Sequence, residues 1–209
     1  MLIPFQQLFA QYNVKTNGIL HIGANEGQEA ETYAALGVSN VIWVEALPDV
    51  YQRLVARLAD LKLYHPALRA CVSDVDGQEV TFHVASNDGQ SSSMLEPTLH
   101  KEEHPTVKFN TQVQLKTTRM DTLLRQTGLV VGPDWFLNID LQGAEMLALR
   151  GMGEFIHQFK YAYLEVNNKE LYRGCPLVHE IDDYLETFGF QPRASRWTGN
   201  GWGDKFYSK

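Results

Sequence analysis

A chain of 209 residues, 44% apolar, is long enough to bury one well-formed core. Lysine and arginine number 18 against 25 acidic residues, a formal net charge of −7 with no basic block, which argues against a nucleic-acid backbone as the main partner. No apolar run approaches the ~18–20 residues of a membrane-spanning helix. Cys71 and Cys175 stand far apart and outside any CxxC pattern, so neither a disulfide framework nor a zinc site is expected. The first residues lack a secretory signal, and a cytoplasmic protein is the expectation.

In residues 1–13, Leu2, Phe5, Leu8, Phe9 and Tyr12 recur on one helical face, which predicts a helix packed on the domain edge. Residues 18–22 form a short buried strand. Gly23-Ala24-Asn25-Glu26-Gly27 then turns sharply, and residues 28–36 are helical. A strand, a glycine-bearing turn and a helix start are how α/β proteins build a nucleotide-binding crevice. Gly23 permits the tight turn, and Gly27 permits a close approach of helix to strand or ligand. The Gly-x-Asn-x-Gly spacing departs from the Gly-x-Gly-x-x-Gly of dinucleotide binders. Taken alone, such a string also fits an ordinary βα turn.

Residues 40–45 give a second strand, continuous and β-rich as a strand buried on both faces requires. Glu45 ends it. A carboxylate there, about twenty residues after the first glycine, can accept both hydroxyl protons of a ribose; the alternative is a solvated strand end. Pro48 suits a first helical turn, and Val50, Tyr51, Leu54, Val55 and Leu58 make that helix's buried stripe. A third strand spans residues 64–72, followed by Ser73 and Asp74. After the Asp76-Gly77 turn, residues 78–85 alternate as a half-exposed strand, with His83 on its polar side.

Residues 86–106 are polar and irregular, the kind of long loop that is functional or disordered. His100 and His104 lie four apart in it, without a matching carboxylate motif, and no metal is assigned to them. Residues 107–118 alternate again and are expected to pair with 78–85. A short helix over 120–126 ends at Gly128.

Residues 135–139 are a buried strand with Asp140 at its carboxyl end, and Gly143-Ala144-Glu145 begins a helix. Asp140 is either a crevice carboxylate or a helix cap. Glu145 suits a first helical turn by dipole alone. Residues 161–166 form the next strand, with Glu165 near its end and Asn167 just beyond. Leu177, Ile181, Tyr184, Leu185 and Phe188 mark a helix ended by Gly189. Aromatic runs on both sides of Gly199-Asn200-Gly201 indicate an antiparallel hairpin. No linker divides the chain. One domain is expected, with a helix in 1–17, a core in 18–190 and the hairpin in 191–209.

In order, His21-Ile22-Gly23-Ala24-Asn25-Glu26-Gly27, Val44-Glu45-Ala46, Val72-Ser73-Asp74, Ser91-Ser92-Ser93, Ile139-Asp140-Leu141-Gln142-Gly143-Ala144-Glu145 and Leu164-Glu165-Val166 resemble FkbM-type methyltransferases that depend on S-adenosylmethionine (SAM). The resemblance covers residues 18–190. It implies a Rossmann-like class I fold: a three-layer α/β sandwich whose mostly parallel sheet ends in a C-terminal antiparallel hairpin. It implies methyl transfer to a hydroxyl of a sugar, glycan or glycosylated natural product. It places the cofactor against Gly23, Ala24, Asn25, Glu26 and Gly27, with Glu45 on the ribose, Ser73 and Asp74 near the adenine, and Asp140 close by. It makes Ser92, Ser93, Gln142, Glu145 and Asn167 candidate acceptor contacts. One departure stands out. Many members carry Asp two residues before the first loop glycine, where this chain has His21, so no carboxylate organises the loop from there.

An aliphatic hydroxyl is a poor nucleophile at neutral pH and needs a base or a metal. Asp140 is the first candidate base and Glu165 the second. Asp140, Glu165 and Asn167 also offer oxygen ligands of the kind magnesium takes, but residue type alone assigns no metal. Two other functions stay open. One is a nicotinamide-dependent oxidoreductase, against which the glycine spacing argues. The other is a non-catalytic module that binds SAM or a glycan.

Overall fold

The buried apolar runs become the centre of a seven-stranded sheet. In the computed structural model, which describes residues 1–209, β1 (Ile19–Ile22), β2 (Val41–Glu45) and β7 (Trp135–Ile139) are buried along their whole length. Their companions are β3 (Ala67–Arg69), β8 (Phe159–Asn167), β9 (Gln191–Trp197) and β10 (Trp202–Ser208), in the order β3-β2-β1-β7-β8-β10-β9. The first five of these pair in parallel. β10 runs antiparallel to both β8 and β9, so the expected hairpin exists and inserts its second strand beside β8.

Helices cover both faces. On one side, α1 (Phe5–Gln11), α2 (Ala30–Ala35) and α3 (Pro48–Asp60) bring Phe5, Leu8, Tyr33, Leu54 and Leu58 onto Phe136, Tyr161 and Phe206. On the other, α5 (Met120–Thr127), α6 (Glu145–Gly151), a 3₁₀ turn over Gly153–Gln158 and α7 (Val178–Glu186) bring Met120, Leu124, Leu149, Ile156, Ile181 and Leu185 onto Leu20, Leu137 and Leu164. Each fully buried side chain of this kind contributes about 1.5–3 kcal/mol, and the alternation along each strand divides them between the layers. The result is the three-layer α/β sandwich expected from the sequence.

The chain runs β1, β2, β3 toward one edge and then returns to place β7 on the other side of β1. This reversal opens a crevice at the carboxyl ends of β1 and β7. Gly23 and Asp140 stand at those two ends, in register from the pairs Ile22↔Ile139.

Three expectations need correction. The N-terminal helix spans only Phe5–Gln11; Pro4 precedes it in an extended conformation, and a residue before proline is held out of the helical region. The single third strand is two strands: β3, then β4 (Cys71–Ser73), which leaves the main sheet at Ala70 and joins a second sheet. That sheet has the order β4-β6-β5, with β5 (Glu79–Val84) antiparallel to β6 (Thr111–Arg119) as the alternation indicated. The long polar loop contains a single short helix, α4 (His100–Glu103). No helix is long and apolar enough to cross a membrane.

Candidate functional site

The crevice holds a cavity of about 330 Å³. Its floor comes from the β1–α2 turn. Gly23 has φ +82°, and a Cβ there would lie 1.7 Å from the Asp140 carbonyl oxygen, so only glycine lets the two strand ends meet. Asn25 adopts φ +44°, which Asn tolerates better than most residues. Its backbone N–H donates to Glu45 Oε2 (3.0 Å), and the Leu47 N–H donates to Glu45 Oε1 (2.8 Å). Each carboxylate oxygen keeps a second lone pair for a ligand hydroxyl. Burial pushes the Glu45 carboxyl above its ordinary range.

Asp140, Glu165 and Gln142 form the chemical centre. Gln142 Nε2 donates to Asp140 Oδ1 (2.7 Å) and to Glu165 Oε2 (2.9 Å). The Tyr172 hydroxyl lies 3.1 Å from Gln142 Oε1, which fixes the amide orientation. Desolvation pushes the Asp140 carboxyl up to about 6, against the lowering effect of the Gln142 bond. Burial, then the Asp140 charge, holds Glu165 well above the carboxylate range. Each carboxylate thus disfavours the charge of the other. Gln142 was expected to touch the acceptor; its donor is spent on the two carboxylates instead. Asp140 is not a helix cap: Ala144 holds that position in α6, and no backbone N–H reaches the Asp140 side chain.

Of the residues assigned from sequence, Gly23, Ala24, Asn25, Glu45, Ser92, Asp140, Gln142 and Glu165 line the cavity. The others lie elsewhere for definite reasons. Glu26 turns outward to pair with Arg53. Gly27 packs on α3, where a Cβ would meet Leu54 Cδ1 at 2.7 Å. Ser73 and Asp74 follow β4 into the second sheet; Ser73 bonds Asp74, and the Asp74 carbonyl accepts from Arg119. Ala70 takes their place at the crevice. Ser93 is fully buried, its hydroxyl accepting from the Leu95 N–H. Even Ser92, though it lines the cavity, accepts from the Ala85 N–H with its hydroxyl. Glu145 is buried and accepts from the N–H groups of Leu141 and Gly143 (2.9 and 3.1 Å), so it shapes the loop that carries Gln142. Asn167 is buried behind the wall, and both its amide atoms lack partners.

His21, which replaces the family's carboxylate, is buried and neutral. Desolvation pushes its imidazole down to about 3. Asn138 Nδ2 lies 3.1 Å from Nε2, and Tyr33 Oη lies 3.3 Å from Nδ1. The ring also packs against Trp43 at 5.3 Å.

Several lining residues carry no signal in the sequence. Glu29 enters because α2 starts at Ala30 rather than at 28; its carboxyl is pushed up to about 7 by desolvation. Asp204 enters because the β10 register sets it opposite Glu165. His100, His104, Tyr172 and Trp202 line the far end. No three His, Cys, Asp or Glu side chains converge as a metal-holding group.

A family model described as the methyltransferase FkbM domain matches residues 21–192. The 2-O-methyltransferase NoeI of Sinorhizobium fredii (strain NBRC 101917 / NGR234) is 28% identical over 178 residues, 81% of this chain and 71% of that protein. Among solved structures, magnesium protoporphyrin IX methyltransferase (ChlM) from Synechocystis PCC 6803, with bound SAM, superposes with a TM-score of 0.54 at 11% identity, covering 98% of this chain and 75% of that one. Ribosomal protein L11 methylase from Lactobacillus delbrueckii subsp. bulgaricus gives 0.52 at 13%, with the same coverages. At these identities the structural likeness is one of fold. The family match spans most of the chain, and the protein belongs to the FkbM methyltransferase family.

Proposed function

We propose that the chain is a SAM-dependent O-methyltransferase acting on a hydroxyl of a sugar, glycan or glycosylated natural product. One observation carries this reading. Five carboxylates, from Glu29, Glu45, Asp140, Glu165 and Asp204, line the cavity, and no lysine or arginine does. A lining of carboxyl groups without a basic side chain favours a cationic cofactor over the pyrophosphate of a nicotinamide dinucleotide, even where burial keeps some of those carboxyls protonated. The glycine turn fits the same group, since Gly23, Ala24 and Asn25 line the cavity beside Glu45, which keeps lone pairs for ribose hydroxyls.

SAM, when bound, supplies a methyl group on a sulfonium sulfur, which an oxygen nucleophile displaces. The rest falls to this chain's own residues. Gln142 occupies Asp140 Oδ1, which leaves Oδ2 without a protein partner. With its carboxyl at about 6, Asp140 is mostly ionised at neutral pH. It orients the acceptor hydroxyl and takes its proton. Glu165, held well above the carboxylate range by burial and then by the Asp140 charge, resists a second buried charge beside the base. A merely ligand-binding module has no need of a coupled carboxylate pair at its centre. The name of the NoeI relative, a 2-O-methyltransferase, supports transfer to oxygen.

The test is Asp140→Asn. It keeps shape and removes basicity. We expect kcat to fall by roughly 10²-fold or more, the range for loss of a general base, with binding of S-adenosylhomocysteine unchanged. Near-normal turnover would remove Asp140 from the chemical step.

A further inference from the structure

Of the carboxyl groups that line the cavity, all but one are held by other parts of the protein. Glu45 accepts from the N–H groups of Asn25 and Leu47. Asp140 and Glu165 each accept from Gln142. Asp204 accepts from the Tyr163 hydroxyl and the Leu2 N–H. Glu29 differs. It stands two residues beyond Gly27, at the entry to α2, half-buried in the cavity wall. No other residue donates a hydrogen bond to its carboxyl. The Met1 ammonium and the Arg57 guanidinium act on it without ion pairing, and Arg57 is engaged by Glu31. Burial is the largest influence on Glu29 and pushes its carboxyl up to about 7, and the Asp140 charge adds to the rise. An acid in that state lacks a cation to compensate it. The strand side of the glycine turn offers no charge. His21 lines the same cavity, but its imidazole is pushed down to about 3 by burial and faces Asn138 and Tyr33. The one cavity carboxyl free for a cation therefore lies on the helix side of the turn.

We infer that Glu29 binds the α-ammonium group of the cofactor's amino-acid tail, across the turn from His21. An alkylammonium has three N–H donors and no acceptor, and a carboxylate is its natural partner. Bonds between two charged groups are about twice as strong as neutral ones, and the buried wall around Glu29 strengthens them further. Glu45 and Glu29 then hold the two ends of one molecule. The ribose hydroxyls lie on Glu45 and the tail ammonium on Glu29, with the Gly23–Asn25 turn between them. Glu29 thereby supplies the negative charge that His21 cannot. It selects for a ligand that carries the amine and against an adenosine thioether without it. This inference rests on the SAM reading and adds a residue to it.

The experiment is titration calorimetry of the wild type and Glu29→Gln with S-adenosylhomocysteine and with its desamino analogue. The analogue keeps the adenosine, the thioether and the carboxylate and lacks only the amine. We expect the wild type to bind S-adenosylhomocysteine about tenfold or more tightly than the analogue, the scale of a hydrogen bond to a charged group. Glu29→Gln should erase most of that difference. It should weaken S-adenosylhomocysteine about tenfold or more and leave the analogue near its wild-type affinity. Glu31→Gln, on the solvent side of α2, removes an equal charge from outside the cavity and should change neither affinity. Without ligand, Glu29→Gln should melt no lower than the wild type, because it removes a charge that burial disfavours. Unchanged S-adenosylhomocysteine affinity in Glu29→Gln overturns the assignment. So does an equal loss for both ligands, the sign of a merely structural role, or an equal loss in Glu31→Gln, the sign of a general field. Absence of S-adenosylhomocysteine binding in the wild type overturns the cofactor reading itself, and the assignment of Glu29 with it.

Discussion

Gln142 gives the sharpest perturbation, because its Nε2 is the one protein donor to either member of the carboxylate pair. Gln142→Met preserves length and volume and removes the donor. Its backbone, at φ +52°, is no worse suited to Met than to Gln. A hydrogen bond to a charged group is worth about 1.5–3 kcal/mol, and one pKa unit corresponds to about 1.36 kcal/mol. Losing the bond therefore raises the Asp140 pKa by about one to two units. From a starting value of about 6, the carboxyl would titrate near or above neutrality. The ionised fraction at pH 7 falls roughly two- to tenfold, and kcat with it. At pH 9 the base is ionised again, and the rate should recover to within about twofold of wild type. The assay is the pH profile of kcat at saturating acceptor and SAM, beside the melting shift given by S-adenosylhomocysteine. A purely structural role for Gln142 predicts a loss that high pH does not repair. An acid limb left at its wild-type position, in a folded variant that binds cofactor, would refute the coupling of Gln142 to Asp140.

Glu45→Ala should reduce the melting shift produced by S-adenosylhomocysteine, because the ribose loses charge-assisted bonds worth about 1.5–3 kcal/mol each; an equal shift would remove Glu45 from the cofactor site. Glu145 makes a stability prediction. Its buried carboxyl is pushed up to about 7 by desolvation. The native state thus holds a proton that the unfolded chain has already released, so stability falls as pH rises from about 4.5 through 7, by up to ~3 kcal/mol. Glu145→Gln should flatten that fall, read as a smaller difference in melting temperature between pH 5 and pH 8. A slope equal to wild type would show that Glu145 does not titrate as described.

The parts of the site that sit at strand ends were legible, because a buried run that stops at a polar residue announces its own carboxyl terminus. Glu45, Asp140 and Glu165 were found that way, and Gly23 by the turn it must make. What escaped depends on registers and crossings that no local pattern carries. The chain steps between sheets at Ala70 within an unbroken β-rich stretch, so Ser73 and Asp74 follow the second sheet and do not line the cavity. Asp204 required the pairing of β10 with β8, which the hairpin turn alone does not set. His100 lies in a polar loop without periodicity, and its burial comes from Phe109 and Tyr172, residues distant in sequence. The resemblance makes Gln142 and Glu145 candidate acceptor contacts; in the structure the side chain of each satisfies groups of the protein itself. Polarity at a crevice does not say whether a side chain faces a ligand or supports a neighbour that does.

The most direct measurement is incubation of the protein with methyl-labelled SAM and a panel of glycans and glycosylated small molecules, followed by mass spectrometry and fragmentation of the products. A SAM-dependent sugar O-methyltransferase yields an acceptor carrying one labelled methyl group on a ring oxygen, and Asp140→Asn yields little of it. Cofactor that binds while every acceptor stays unlabelled, or label that appears on nitrogen or carbon, would contradict it.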